Sequence, residues 1–234
     1  MRSIWRTLDV ELWRGVLAIA LAAAVNGASF GAIAVAAGLP LWVPVAMSVL
    51  IFAGGSQYLA VGVVAAGGSP IAAVVGGLVL NARHLPFGLA VGDVVGRSWP
   101  ARLLGSHLLI DESVAFAMAQ KSPERARAAY WACGASLFVA WNTGVFAGAL
   151  AGRLVADPDA LGLDAVFPAV MLALVLPVLR EADKLRPAML GAAIALATTP
   201  FLPPGVPVLL ALGGLLTVKN ARVKNARVKK KEAM

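Results

Sequence analysis

Cysteine occurs once, at Cys133, and histidine only twice, so the chain holds neither an internal disulfide framework nor a cysteine-rich metal site. Charge is scarce as well: 14% of the 234 residues are Asp, Glu, Lys or Arg, where a soluble domain carries about 25%. With 60% of the chain drawn from AVILMFWYC, a water-facing surface cannot be assembled from what is left. The same figures exclude disorder, because disordered chains are poor in apolar residues. The mean hydropathy of +0.83 points to an all-α, polytopic integral membrane protein.

The cations that are present are unevenly placed. Residues 219–234 hold seven Lys/Arg against one Glu, which is +6 of the formal +8, so the other 218 residues are only +2. The pI of about 10.3 is therefore mostly a property of this tail. It reads Lys219-Asn220-Ala221-Arg222-Val223, repeats as Lys224-Asn225-Ala226-Arg227-Val228, and continues Lys229-Lys230-Lys231. Such a segment is a cytoplasmic topology anchor lying against anionic lipid. Nucleic acid is not expected as a partner, since no aromatic residue interrupts the run for base stacking. The chain thus divides into one transmembrane domain, 1–218, and a basic cytoplasmic tail, 219–234.

A membrane helix needs about 20 apolar residues. Candidate spans are 15–37, 41–66, 71–95, 103–119, 128–152 and 165–179. The stretch 188–218 is too long for one helix, and Pro200, Pro203, Pro204 and Pro207 divide it into two short crossings. Seven or eight transmembrane helices result, some of them broken. A signal peptide is the rival reading at the start, where Arg2, Arg6 and Arg14 precede an apolar run containing Ala22-Ala23-Ala24. The run continues well past that point, and more spans follow. Lys121, Arg125 and Arg127 mark one basic connection, and Arg180, Lys184 and Arg186 another; Asp157, Asp159 and Asp164 mark an acidic one. Placing the N-terminus, the basic connections and the tail in the cytoplasm closes the alternation, with Arg97 and Arg102 in disagreement. Trp13, Trp42, Trp99 and Trp131 fall at expected span ends, whereas Trp141 lies mid-span beside Asn142-Thr143. Gly27-Ala28-Ser29 and Gly134-Ala135-Ser136 suggest an inverted repeat.

Function in such a chain shows in the polar groups kept inside the apolar runs, because a mid-helix charge costs about 2.5–3.5 kcal/mol on insertion scales. Asn26-Gly27-Ala28-Ser29-Phe30-Gly31 is the first place. It is either a GxxxG packing face or a local loosening that exposes backbone and Ser29 to a ligand. Phe52-Ala53-Gly54-Gly55-Ser56-Gln57 is the second. Its glycine pair weakens a helix by roughly 1 kcal/mol per residue, and a break there would free N–H groups for a carboxylate; close packing is the alternative. The third is Asn81-Ala82-Arg83-His84-Leu85-Pro86, where Pro86 predicts a kink and Asn81 and His84 share a face if the turn is helical. Arg83 is either a buried cation or a snorkelling one. The fourth runs from His107 to Asp111-Glu112-Ser113: His107 and Asp111 are spaced to meet on one face, and adjacent carboxylates in an apolar stretch suit a proton-coupled carrier. If the helix ends at Ile110, those carboxylates instead stand in water. Together these groups match a zwitterion with an aliphatic side chain.

At these residues the sequence resembles the AzlC family of branched-chain amino acid exporters. The strongest block runs from Met47-Ser48 through Phe52-Ala53-Gly54-Gly55-Ser56-Gln57-Tyr58 and Gly67-Gly68-Ser69-Pro70 to Asn81-Ala82-Arg83-His84. Ser29-Phe30-Gly31, Gly38-Leu39-Pro40, Asp111-Glu112 and Trp141 fit the same pattern. The resemblance covers roughly 12–215. It implies export of valine, leucine, isoleucine and analogues from the cell inner membrane, driven by protons, with a small AzlD-type membrane partner. Leu85-Pro86-Phe87-Gly88 departs from it, carrying a proline where members more often have a second aliphatic residue.

The expected substrate-binding residues are accordingly Ser29, Gly54, Gly55, Ser56, Gln57, Asn81, Arg83 and His84, with Asp111 and Glu112 for proton coupling. No cofactor and no metal is expected. The rival classes are a non-transporting membrane scaffold subunit and an intramembrane enzyme using His84, Asp111 and Glu112. The chain lacks HExxH and GxSxG motifs, which weighs against the enzyme.

Overall fold

The computed structural model describes residues 9–154, 172, 176, 179, 182–202 and 206–215, and every regular element among them is helical. They are α1 (Val10–Ala36), α2 (Trp42–Leu50), α3 (Gly54–Ala65), α4 (Pro70–Asn81), α5 (His84–Val95), α6 (Trp99–His107), α7 (Asp111–Met118) and α8 (Pro123–Gly152), then α9 (Ala182–Thr198), α10 (Val206–Leu210) and a 3-10 helix (Ala211–Leu215). The span expected at 165–179, the acidic connection at Asp157, Asp159 and Asp164, and the tail 219–234 lie outside the described residues, apart from 172, 176 and 179.

Among the described residues α1 and α8 are long and apolar enough to cross a membrane. A third candidate is the pair α4 and α5, bent by 48° at the break between them. Outward faces carry aliphatic side chains in helical register: Leu17, Leu21 and Val25 on α1, Ile71, Val74 and Leu78 on α4, Leu85 and Leu89 on α5. Leu89 is 88% exposed. Apolar helix faces so exposed are lipid-facing. The molecule is a membrane protein, all-α among the described residues.

Several expected spans are divided. The run 41–66 breaks at residues 51–53, and 103–119 breaks at residues 108–110 into α6 and α7. The run 71–95 breaks where expected, at Ala82 and Arg83. Pro86 stands in the first turn of α5, where its missing N–H has no intrahelical acceptor to lose. The division of 188–218 also holds, since α9 ends at Thr198 and α10 begins at Val206. Arg125 and Arg127, expected in a connection, lie inside α8, because Ser122 caps its start by accepting from the Arg125 N–H at 3.3 Å and Pro123 occupies its first turn. Trp131 consequently sits within α8, packed beside Tyr130 against Val91, Val95, Val114 and Ala117.

The chain divides into two compact units, Met1–Tyr58 with Gly77–Pro158, and Leu59–Gly76 with Asp159–Met234. The first is organised around α1 and α8. A methyl group added at Gly27 would stand 2.6 Å from the Trp141 carbonyl oxygen, and one at Gly31 would overlap that of Val145. Gly144 and Gly148 press on Ala24 and Ala28 in return. Residue numbers rise together along both helices, so α1 and α8 run parallel. The inverted repeat suggested by Gly27-Ala28-Ser29 and Gly134-Ala135-Ser136 is thereby corrected, since inverted repeats set equivalent helices antiparallel. In the second unit Val63 packs on Ala72 and Ala73, and Gly191 and Gly214 let α9 and the 3-10 helix touch.

The starts of α1 and α8 are tied together by an ion pair between Asp9 and Arg125. Asp9 also caps α1, accepting from the Leu12 N–H at 2.9 Å. The Leu12 N–H first, and the Arg125 guanidinium after it, hold the Asp9 carboxyl below its ordinary value of 3.8. A depressed folded-state value means that the stabilisation is complete above 3.8 and disappears as the pH falls through the lower value. Melting temperature in detergent should drop on acidification in this range, and drop less in Asp9→Asn, which keeps a capping oxygen but has no charge to titrate.

Candidate functional site

Three helix breaks of the first unit supply the expected polar residues. At the first, Phe52 takes φ 42°, a left-handed conformation unfavourable for a bulky side chain. Its buried ring is held by Phe138 at 5.0 Å and His107 at 6.2 Å between centroids. The break therefore precedes the glycine pair, and Gly54 and Gly55 lie inside α3. Their role is space. A methyl group at Gly54 would stand 2.9 Å from the Trp141 ring, and one at Gly55 would stand 3.4 Å from Leu80 and 3.9 Å from the Arg83 guanidinium. The first turn of α3 thus has an indole on one side and a guanidinium on the other.

The second break places Arg83 just ahead of α5 and His84 at its start. The third delivers Asp111, in the first turn of α7, to both: Oδ1 lies 3.4 Å from Arg83 Nε and 3.9 Å from His84 Nε2. Buried Ser113 fixes that turn, donating to the Leu108 and Ile110 carbonyls at 3.0 and 2.9 Å and accepting from the Ile110 N–H. Arg83 and Asp111 remain 41% and 47% exposed, so Arg83 is a paired, half-open cation and not a buried one.

Other expectations are corrected. Helix α1 passes unbroken through Asn26–Gly31, and Ser29 turns its hydroxyl back to the Val25 carbonyl at 3.1 Å; its glycines pack, and nothing loosens there. Ser56 likewise donates to Ala53 at 2.8 Å. His107 ends α6 and Asp111 begins α7, so the two are not helical neighbours; His107 stacks edge-on with Phe138 instead. Asp111 and Glu112 open α7 at a helix start and are exposed, so they do not stand mid-helix within one apolar span. Asn81 closes α4 and His84 opens α5 after the bend, so no single helical face holds both.

The structure adds residues that spacing did not single out. Ser48 donates to Asn142 Oδ1 at 2.6 Å, and Asn142 donates on to the Phe138 carbonyl. The Tyr58 hydroxyl meets both Asn26 oxygens at 2.9 Å. Trp141 is 6% exposed and stacks on Phe30 at 6.0 Å. Its mid-span position, away from any headgroup layer, was the available signal. A separate cavity of about 410 Å³ lies at the starts of α1 and α8, lined by Asp9, Glu11, Leu12, Phe116, Gln120 and Arg125 among others; none of the expected site residues faces it.

A family model described as AzlC protein matches residues 18–155. The chain belongs to the AzlC family. The matched region runs from within α1 to the end of α8 and holds every expected substrate-binding and proton-coupling residue. Comparison with curated proteins and with solved structures found no match. AzlC membership and the lipid-facing helices together make this a membrane protein of a transport-related family.

Proposed function

We propose that this chain is the large subunit of a secondary exporter of branched-chain amino acids, coupled to protons and completed by a small AzlD-type membrane subunit. One observation carries the reading: a cation, a carboxylate and an imidazole from two separate helix breaks meet at Asp111, beside the glycine-opened first turn of α3. Interrupted helices with ionisable groups are how transporters build sites at membrane depth. In this reading the substrate lies between residues 54–57 and 81–84. Asp111 is Arg83's partner, which favours a coupling role for the pair: a proton on Asp111 releases Arg83, and its loss restores the bond. Glu112 is the adjacent carboxylate available to the same exchange.

The proposed topology has both termini in the cytoplasm of a cell with an inner membrane. The Asp9–Arg125 contact sets the starts of α1 and α8 on one side. Four crossings before α8 satisfy that parity if each broken pair counts once, and α8 with three C-terminal crossings brings the total to eight, the even number that two cytoplasmic termini require. The basic tail then faces anionic lipid.

Counterflow of labelled valine into vesicles containing the chain and its partner tests the reading. Saturable, pH-dependent exchange is expected, with the pH dependence lost or shifted in Asp111→Asn and Glu112→Gln. Coupling through this pair is wrong if both variants keep the parental profile.

A further inference from the structure

Buried polar groups in proteins are almost always hydrogen-bonded, and each exception calls for a reason. Among the described residues such exceptions are few. Gln57 is wholly buried, and neither its carboxamide oxygen nor its nitrogen has a partner. The Trp141 indole nitrogen is buried and unpartnered as well, and so is the Asn81 side-chain oxygen. Trp141 packs against the first turn of α3, which runs from Gly54 to Gln57. Gly54, whose missing side chain makes room for the Trp141 ring, lies one helical turn before Gln57 on α3. Tyr58, next along, is fixed to Asn26 and packs against Phe30 at 5.2 Å, and Phe30 stacks on Trp141.

We infer that Gln57 and Trp141 are the groups that read the zwitterionic head of an aliphatic α-amino acid. The vacant set is two donors, the indole N–H and the carboxamide NH2, and one acceptor, the carboxamide oxygen. A carboxylate accepts from the former and an ammonium donates to the latter. Neutral groups suit a ligand with no net charge, because they leave no unpaired charge behind when the site empties. The rings of Phe30 and Trp141 offer the apolar wall that a branched side chain needs. Arg83 is left free for Asp111. This inference rests on the transport reading above, which supplies the amino acid.

A structural role and a binding role part company on substitution. Replacing an unsatisfied buried amide by an apolar group of similar size removes a desolvation penalty, so Gln57→Leu should melt at or above the parental temperature. Trp141→Phe deletes the N–H together with part of the ring, so some loss of melting temperature from the space it leaves is expected there. The experiment titrates the purified full chain, labelled with 15N at the indole nitrogens, with L-valine; Trp141→Phe assigns the resonance. Isovalerate, without the ammonium, and isobutylamine, without the carboxylate, are the comparison ligands. The expected result is a shift of the Trp141 N–H signal on valine addition. Affinity should fall at least tenfold in each variant, with no fall in melting temperature in Gln57→Leu, and each comparison ligand should bind more weakly than valine. If the wild type binds valine while the Trp141 signal stays put, or both variants bind within twofold of it, the inference is overturned and the export reading stands; the vacancies then belong to internal water. If the wild type neither binds nor exchanges valine, the export reading falls and takes the inference with it.

Discussion

Gly148→Leu is expected to yield no folded protein in detergent, and Gly148→Ala to lower stability by about 1–3 kcal/mol or more, the range for forcing extra carbon into a packed core. The atom in the way is the Ala28 carbonyl oxygen, part of the backbone of α1, so no rotamer change can clear it. The helices must separate. Their contact would go with them, because Gly27, Gly31, Gly144 and Gly148 all use the missing side chain to bring backbones together. Association of helices in lipid depends on this closeness, there being no hydrophobic driving force between them. Gly92 on α5 is the control: nothing lies within 4 Å of an added methyl group, so Gly92→Ala should be neutral or stabilise by roughly 0.5–1 kcal/mol through helix propensity. Thermal melts of the variants compare the two sites directly. Equal behaviour at Gly92 and Gly148 would contradict the packing account.

Arg83→Ala should reduce valine counterflow by more than about tenfold, a loss of roughly 1.4 kcal/mol or more in transition-state stabilisation, while melting temperature changes little. The small structural effect follows from exposure: a pair with partners 41% and 47% exposed contributes about 0–1 kcal/mol to stability, as surface pairs do. The large transport effect follows from the freed Asp111, whose charge then keeps only His84 nearby in the coupling cycle. Asp111→Asn should impair transport likewise. Exchanging the two, Arg83→Asp with Asp111→Arg, should recover part of the rate, as the attraction survives reversal. A double variant no better than either single one means that the two residues act separately. A parental rate in Arg83→Ala favours a scaffold subunit over a carrier.

Much of this site could be read along the chain. The break at residues 82–83 follows from local chemistry, since Pro86 bars the preceding turn from continuing and polar residues interrupt an apolar run. Gly27 and Gly31 were legible as a packing pair, but equally as a loosened helix; their neighbours on α8 decide between the two. Gly54 and Gly55 marked the right place for the wrong reason. The helix fails at Phe52, where ring contacts with Phe138 and His107 accompany the left-handed backbone, and the glycines serve to admit Trp141 and Arg83. The spacing of His107 and Asp111 misled because i, i+4 neighbours meet only inside one helix, and two meet end to end there.

Composition alone determined the class of protein, because a chain with so little charge has only lipid to face. The residue order added the family, the main breaks and the roster of polar groups. Only the tertiary structure decided which groups meet: Asp111 with Arg83, Trp141 with Gly54, α1 parallel to α8. It also decided which of the described groups are left unpartnered: those of Gln57, Trp141 and Asn81. The reason is range. Helix breaking acts through adjacent turns of backbone, and so leaves its mark in neighbouring residues. Pairing and vacancy depend on which distant helices pack together, and an unmade hydrogen bond has no sequence signature.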